Sequence, residues 1–150
     1  MTLQLRELSS GDDCGRLSLG DPSLVPLKNF LKKEAKSLHQ TNLAKTHVVV
    51  EEGERKVLAY VTTLCTQISV EDIHQHAPIH AYKYSDYPAL KLARLAVDSK
   101  FRQRNLGSQL VDFVIGLAKM HIMSHTGCRF LLVDAKHQSI GFYLKKGFKK

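Results

Sequence analysis

The chain opens on alternation: Leu3 and Leu5 interleave with Thr2, Gln4 and Arg6, which predicts a short first strand over residues 1–6. Residues 8–23 hold Gly11, Gly15, Gly20 and Pro22 among several Ser and Asp and predict a loop. Leu24, Leu27, Phe30, Leu31, Ala35 and Leu38 then recur at three- and four-residue steps. That spacing gives a helix one apolar face, started by Asp21 or Ser23, with Lys28, Lys32, Lys33 and Lys36 on its other sides. Residues 46–50 and 56–65 are rich in β-branched and aromatic residues and flank the polar stretch 51–55, so they predict a hairpin. Residues 66–88 are irregular and read as a loop with a partial helix. The apolar run 90–97, ended by Asp98-Ser-Lys100, predicts a strand. From Gly107, the residues Leu110, Val111, Val114, Ile115, Ala118 and Ile122 mark one face of a second helix. A strand over 129–134 and a short helix from His137 or Ser139 to Lys146 follow, with Gly147 suited to the stop. The order strand, helix, hairpin, strand, helix, strand, helix predicts an α+β fold, an α/β three-layer sandwich, in a single domain over 1–150.

Composition narrows this little: 150 residues, 43% hydrophobic and 24% charged, suit one folded domain. No apolar run reaches the roughly 20 residues of a membrane helix, and residues 1–13 carry early acids and no apolar core of a signal peptide. Cys14, Cys65 and Cys128 are odd in number, without a short repeated spacing, and fit a cytoplasmic, reduced chain. Cys65 and Cys128 adjoin apolar runs and are expected to be buried. Charge is more informative than its net value of +8. Residues 1–90 hold 10 Lys or Arg against 11 Asp or Glu, and residues 91–150 hold 12 against 3. The basic excess therefore lies in the last sixty residues and points to an anionic partner there.

The stretch from Arg94 to Ser108 gives that excess a chemistry. A strand runs into a short basic loop, which opens a helix. The first turn of a helix has N–H groups without intrahelical acceptors and the positive end of the dipole, so phosphate binds there readily. Gly107 has no Cβ to obstruct a ligand, and Arg102 and Arg104 add cationic donors. His74, His76 and His80 would need a suitable turn and a further ligand to hold zinc, and read instead as a polar loop over a cleft. No metal is expected. Tyr82, Tyr84 and Tyr87 are placed either to stack on a ligand or to pack.

Arg102-Gln103-Arg104-Asn105-Leu106-Gly107 resembles the acyl-CoA signature Q/R-x-x-G-x-G/A of the GNAT acyltransferase superfamily. Asn105 replaces the first glycine. Asn tolerates positive φ, so the loop can keep its shape, while close approach of the pyrophosphate is the property in question. Gly141-Phe142-Tyr143 and Gly147-Phe148 match the F-Y and G-F that end the fold in that family. The resemblance covers about residues 45–148. The chain is also similar to the GNAT toxins of bacterial toxin–antitoxin pairs, through Arg94-Leu-Ala-Val-Asp98, Cys14-Gly15, Phe30-Leu-Lys-Lys-Glu-Ala35 and Thr46-His-Val-Val49.

The resemblance implies a mixed sheet flanked by helices and transfer of an acetyl group from acetyl-CoA to a primary amine. It implies that Leu95, Ala96 and Val97 hold the pantetheine arm. Residues Arg102 through Ser108 would hold the pyrophosphate, and Tyr143 would protonate the departing thiolate. Arg94 would orient the acceptor. No acid in 90–97 offers a base, and Glu71 or Asp72 are the candidates. The acceptor implied is the amino acid on a charged tRNA, with a small-molecule amine, or a non-catalytic CoA- or RNA-binding module, as alternatives. An antitoxin and a second copy of the chain are implied partners. The family usually adds a strand after its G-F, which this sequence lacks.

Overall fold

The computed structural model describes residues 1–73 and 82–150. Among them, five strands form one sheet in chain order: β1 Leu3–Glu7, β2 Lys45–Glu51, β3 Ala59–Ser69, β4 Asp86–Val97 and β5 Phe130–Val133. The first four pair antiparallel and β5 joins β4 in parallel, which makes the sheet mixed. Helices α1 Val25–Lys33 and α2 Ala35–Gln40 cover one face, and α4 Leu106–Leu117 and α5 Ile140–Lys145 cover the other. One helical turn, α3 Val70–Ile73, follows β3.

The strand side chains explain the layering. In β2, Val48 and Val50 pack with Phe30, Leu31 and Ala35, while Val49 packs with Leu110, Val111 and Val114. Both faces are covered, so the run is apolar throughout instead of alternating. Tyr60 in β3 is fully buried and stacks on Phe30, and its hydroxyl donates to the Leu27 carbonyl at 2.6 Å. Burial pushes its pKa far up. Thr46 and Thr62, opposite each other in β2 and β3, join their buried hydroxyls at 2.7 Å.

Several expectations change. The helix read through residues 24–38 breaks at Glu34, whose φ of −123° leaves the helical range. Strand β4 begins four residues earlier than the sequence pattern indicated, and β3 runs on to Ser69, so only part of 66–88 is loop. Residues 8–23 do lack a long element, yet Leu8, Cys14, Leu17 and Leu19 are all buried in the α1 layer. Cys65 is exposed, because β3 alternates beyond Thr63 and this side chain falls on the open side. The helix from Gly107 starts at Leu106, and its last turn, Ala118–Ile122, widens to π geometry.

The loop over 8–23 is held by two buried carboxylates. Asp12 takes two hydrogen bonds from Arg6, at 2.7 and 2.8 Å, and one from the Ser9 N–H at 2.8 Å. Burial opposes its charge, but the Arg6 and Ser9 hydrogen bonds outweigh that and hold its pKa below the usual carboxylate value. Asp98, after β4, accepts from the N–H of Ser18 at 3.1 Å and of Lys100 at 3.0 Å. It thereby fastens the loop to the segment that enters α4.

Candidate active site

Strands β4 and β5 pair only over Ala89–Leu92 and Phe130–Val133. Beyond that point they part, and the β4 backbone facing away from β3 has no sheet partner among the described residues. The departure coincides with a bulge: Thr62 faces Arg94 and Thr63 faces Leu92, leaving Ala93 without a register partner on β3. A bulge adds one residue to one strand and bends it. A cleft of about 840 Å³ occupies the opening. It lies at the carboxyl ends of two parallel neighbours, the usual place for a ligand in sheets of this kind.

Its floor is the β4 segment Arg94–Val97. One wall is the entry to α4 with Arg102, Asn105, Gly107 and Ser108, and the other carries Phe142 and Tyr143 of α5. Leu95, Ala96 and Val97 are therefore brought to the cleft as a strand edge, through backbone more than side chain, since Ala96 is buried beneath α1. The Arg94 guanidinium lies 4.3 Å from the centre of the Phe30 ring, on the α1 side of the floor.

Asn105 takes the left-handed conformation, φ 60° and ψ 26°, and joins a 3-10 segment, Ser99–Arg104, to α4. Only there can the chain turn into the helix and leave the first N–H groups of α4 toward the cleft. Asn105 provides no side-chain cap, so those groups keep their donors free for a ligand. A bulky β-branched residue is strained at this φ. Asn105→Val should therefore lower stability by about 1–3 kcal/mol, and Asn105→Gly should be close to neutral. Chemical denaturation of the three proteins checks this.

Three of the expected phosphate-loop residues do not reach the cleft. Leu106 is buried in the sheet-side core of α4. Arg104 turns away over the Phe101 ring, 5.4 Å from its centre, and toward the Met1 sulfur at 3.7 Å. Gln103 does not line the cleft either, because a 3-10 turn brings only every third side chain to one side, here Arg102 and Asn105. Arg102 lines the cleft while donating to the Leu19 carbonyl. Gly107 lines the cleft beside Phe142 and Val97. A methyl there would meet Phe142 at 3.6 Å and Val97 at 3.8 Å, ordinary contact distances, so packing between β4 and α5 leaves room for a Cβ at this position.

Tyr143 is 7% exposed, and its ring stands edge-on to Phe142 at 5.0 Å and to Phe148 at 5.6 Å. Burial pushes its pKa up to about 12. No described group hydrogen-bonds its hydroxyl. Residues that sequence reasoning did not assign to the donor cleft also line it: Leu19 and Asp21 from the first loop, and Asp134, Lys136 and Ser139 after β5. The signal available for the second group was its position directly after a strand that is parallel to β4. Lys91 and Asp134 form an ion pair at 2.5 Å across the two strands.

Glu71 and Asp72 sit in α3, away from the cleft, because β3 continues past the site before turning. Tyr87 is buried against Phe130 and stacks with Tyr82 at 4.7 Å, so these two pack instead of facing a ligand. His74, His76 and His80 lie outside the described residues. No described helix is long and apolar enough to cross a membrane.

A mixed sheet splayed at the point where a strand edge, a helix start and a buried tyrosine meet is the framework of this cleft, and the class of the protein follows from its family. The family described as "Acetyltransferase (GNAT) domain" matches residues 44–150, and the chain belongs to it. It is an N-acetyltransferase, with acetyl-CoA as its co-substrate. A tRNA-acetylating toxin of Mycobacterium tuberculosis is 30% identical over 146 residues, covering 95% of this chain and 82% of that protein. Among solved structures, AtaT complexed with acetyl-methionyl-tRNAfMet superposes with a TM-score of 0.79 at 22% identity, over 99% of this chain and 87% of that one. A bacterial toxin superposes at 0.84 with 14% identity, over 99% and 82%.

Proposed function

We propose that the chain acetylates the α-amino group of an aminoacyl-tRNA and acts as the toxin of a toxin–antitoxin pair. The observation that carries this reading is the 30% identity to a tRNA-acetylating toxin, extending over 95% of the chain. The cleft is suited to the donor. The edge of Leu95–Val97 offers backbone groups to the amide-bearing pantetheine arm. Arg102 and the first turn of α4 offer donors to the pyrophosphate.

Tyr143 is the general acid in this reading. The acceptor amine attacks the thioester carbonyl carbon, the C–S bond breaks, and the thiolate takes the phenolic proton. A free α-amine has a pKa near 8 and gives up its own proton to water without a strong base. This agrees with the lack of an unpaired acid among the described residues of the cleft floor. Arg94, exposed on the floor, meets the terminal phosphates of the acceptor stem in this reading. The Asp134 carboxylate is paired with Lys91, which favours a structural role over a basic one.

Lys145, Lys149 and Lys150 remain exposed and can meet further phosphates, while Lys136 lines the cleft. Lys146 does not belong with them, because its ammonium is engaged within the fold. An antitoxin and a second copy of the chain are the protein partners of this reading. Incubation of a bulk aminoacyl-tRNA pool with labelled acetyl-CoA is expected to label the aminoacyl group. Label only on free amines, with none on charged tRNA, would place the acceptor among small molecules.

A further inference from the structure

One partly buried cation is not used by the mechanism above. Lys146 follows α5 as its C-cap, three residues beyond Tyr143, and its side chain is 18% exposed. Its Nζ donates to Ser108 Oγ at 2.7 Å and pairs with Asp112 Oδ1 at 2.6 Å. Ser108 lies on the first turn of α4 and lines the cleft, and Asp112 lies one turn further along the same helix. We propose that Lys146 is a positioning residue for the pyrophosphate end of the cleft, acting through Ser108 and by neutralising Asp112. The inference rests on the reading of this cleft as the acetyl-CoA site.

The chemistry follows from donor and acceptor counting. An ammonium has three donors and no acceptor, so Ser108 Oγ must accept from Lys146. Its own O–H is then left to turn toward an acceptor outside this pair. The acceptor class that fits a helix first turn is a phosphate oxygen. Asp112 sets the second part of the argument. Without Lys146 its carboxylate would stand one turn from a site for two phosphate charges. With Lys146 the pair contributes no net charge there. The same ammonium also joins the helix that carries Tyr143 to the helix that binds the donor.

The test measures binding of CoA and of 3′-phospho-ADP, the part of CoA that carries the pyrophosphate, by calorimetry. Wild type, Lys146→Met, Lys146→Arg and the double variant Lys146→Met/Ser108→Ala are compared. Lys146→Met is expected to weaken both ligands about tenfold, the scale of losing charge-assisted hydrogen bonding, with Lys146→Arg recovering part of the loss. Lys146→Met should cost less in the Ser108→Ala background, the remaining cost being that of the uncompensated Asp112 carboxylate. Kinetically, KM for acetyl-CoA should rise with little change in kcat. A loss that appears in kcat, or for CoA but not for 3′-phospho-ADP, would overturn the positioning role. So would unchanged affinity in a Lys146→Met protein whose thermal midpoint matches wild type. If wild type binds neither ligand, it is the reading of the cleft that fails.

Discussion

Tyr143→Phe is expected to lower kcat by about 10²–10³-fold while leaving KM for acetyl-CoA within a small factor, the range for loss of a positioned general acid. The variant deletes one oxygen. The ring stays in its edge-on contacts with Phe142 and Phe148, and no described hydrogen bond is lost, so the fold should be kept. What disappears is the proton for the departing thiolate. Thermal unfolding and CoA binding equal to wild type would separate the loss from misfolding. Wild-type activity in the variant would remove Tyr143 from the reaction.

The pH dependence follows from the same side chain. Burial raises the phenol's pKa to about 12, so its protonated, proton-donating form persists well above neutrality. Rate should therefore not decline through deprotonation of Tyr143 below that value. The rising limb should belong to the acceptor amine, near pH 8 for a free α-amine, because only the neutral amine attacks. Profiles of kcat/KM between pH 6 and about 10 should rise and level off, and Tyr143→Phe should lower the curve without moving its midpoint. A wild-type curve falling near pH 9, absent in the variant, would contradict this.

Arg6→Met is expected to destabilise the protein by about 3 kcal/mol, because breaking one side of a buried pair leaves an uncompensated charge. Asp12 is 3% exposed, and Arg6 provides two of its three hydrogen bonds. For a chain of this length, the thermal midpoint should fall by about 6–12 °C. The sign of the pH effect provides a check. The native carboxylate has a lowered pKa, so the stability it contributes is present above the ordinary carboxylate value and is lost as pH falls through the native one. In Arg6→Met the orphaned carboxylate is relieved when it takes a proton. The difference between variant and wild type should therefore shrink from pH 7 toward pH 3. A constant difference would mean that lost packing of the Arg6 stem is responsible. The consequence reaches the active site, since the loop held by Asp12 supplies Leu19, whose carbonyl accepts from Arg102.

How far the site could be read from the chain depended on whether its parts were contiguous. The strand–loop–helix from Arg94 to Ser108 is one run of sequence, so its arrangement was legible in advance. Asn105 is the clearest case: a tolerant residue at the glycine position is found at φ 60°. Within the same run, the sequence could not tell which side chains reach the cleft. Arg102 and Arg104 look alike on paper, and a 3-10 turn sends them to different sides. The loop over 8–23 looked solvated because its composition is that of turns. Its burial depends on Leu17 and Leu19, too few and too irregular to give a period.

The sequence by itself determined the order of elements, the amphipathic faces of the helices and the position of the helix start that opens on the cleft. These are local properties, set by side-chain period and by backbone groups within a few residues. The tertiary structure decided the rest. It placed β5 parallel to β4 and then parted them, so that a strand edge 46 to 48 residues before Tyr143 faces it across one cleft. It spent Arg104 on Phe101 and Lys146 on Ser108 and Asp112, and left Arg94 at the cleft. A count of charges along a chain gives the sign of a partner. Only packing, by burying some charges in pairs and leaving others in solvent, determines which of them can meet it.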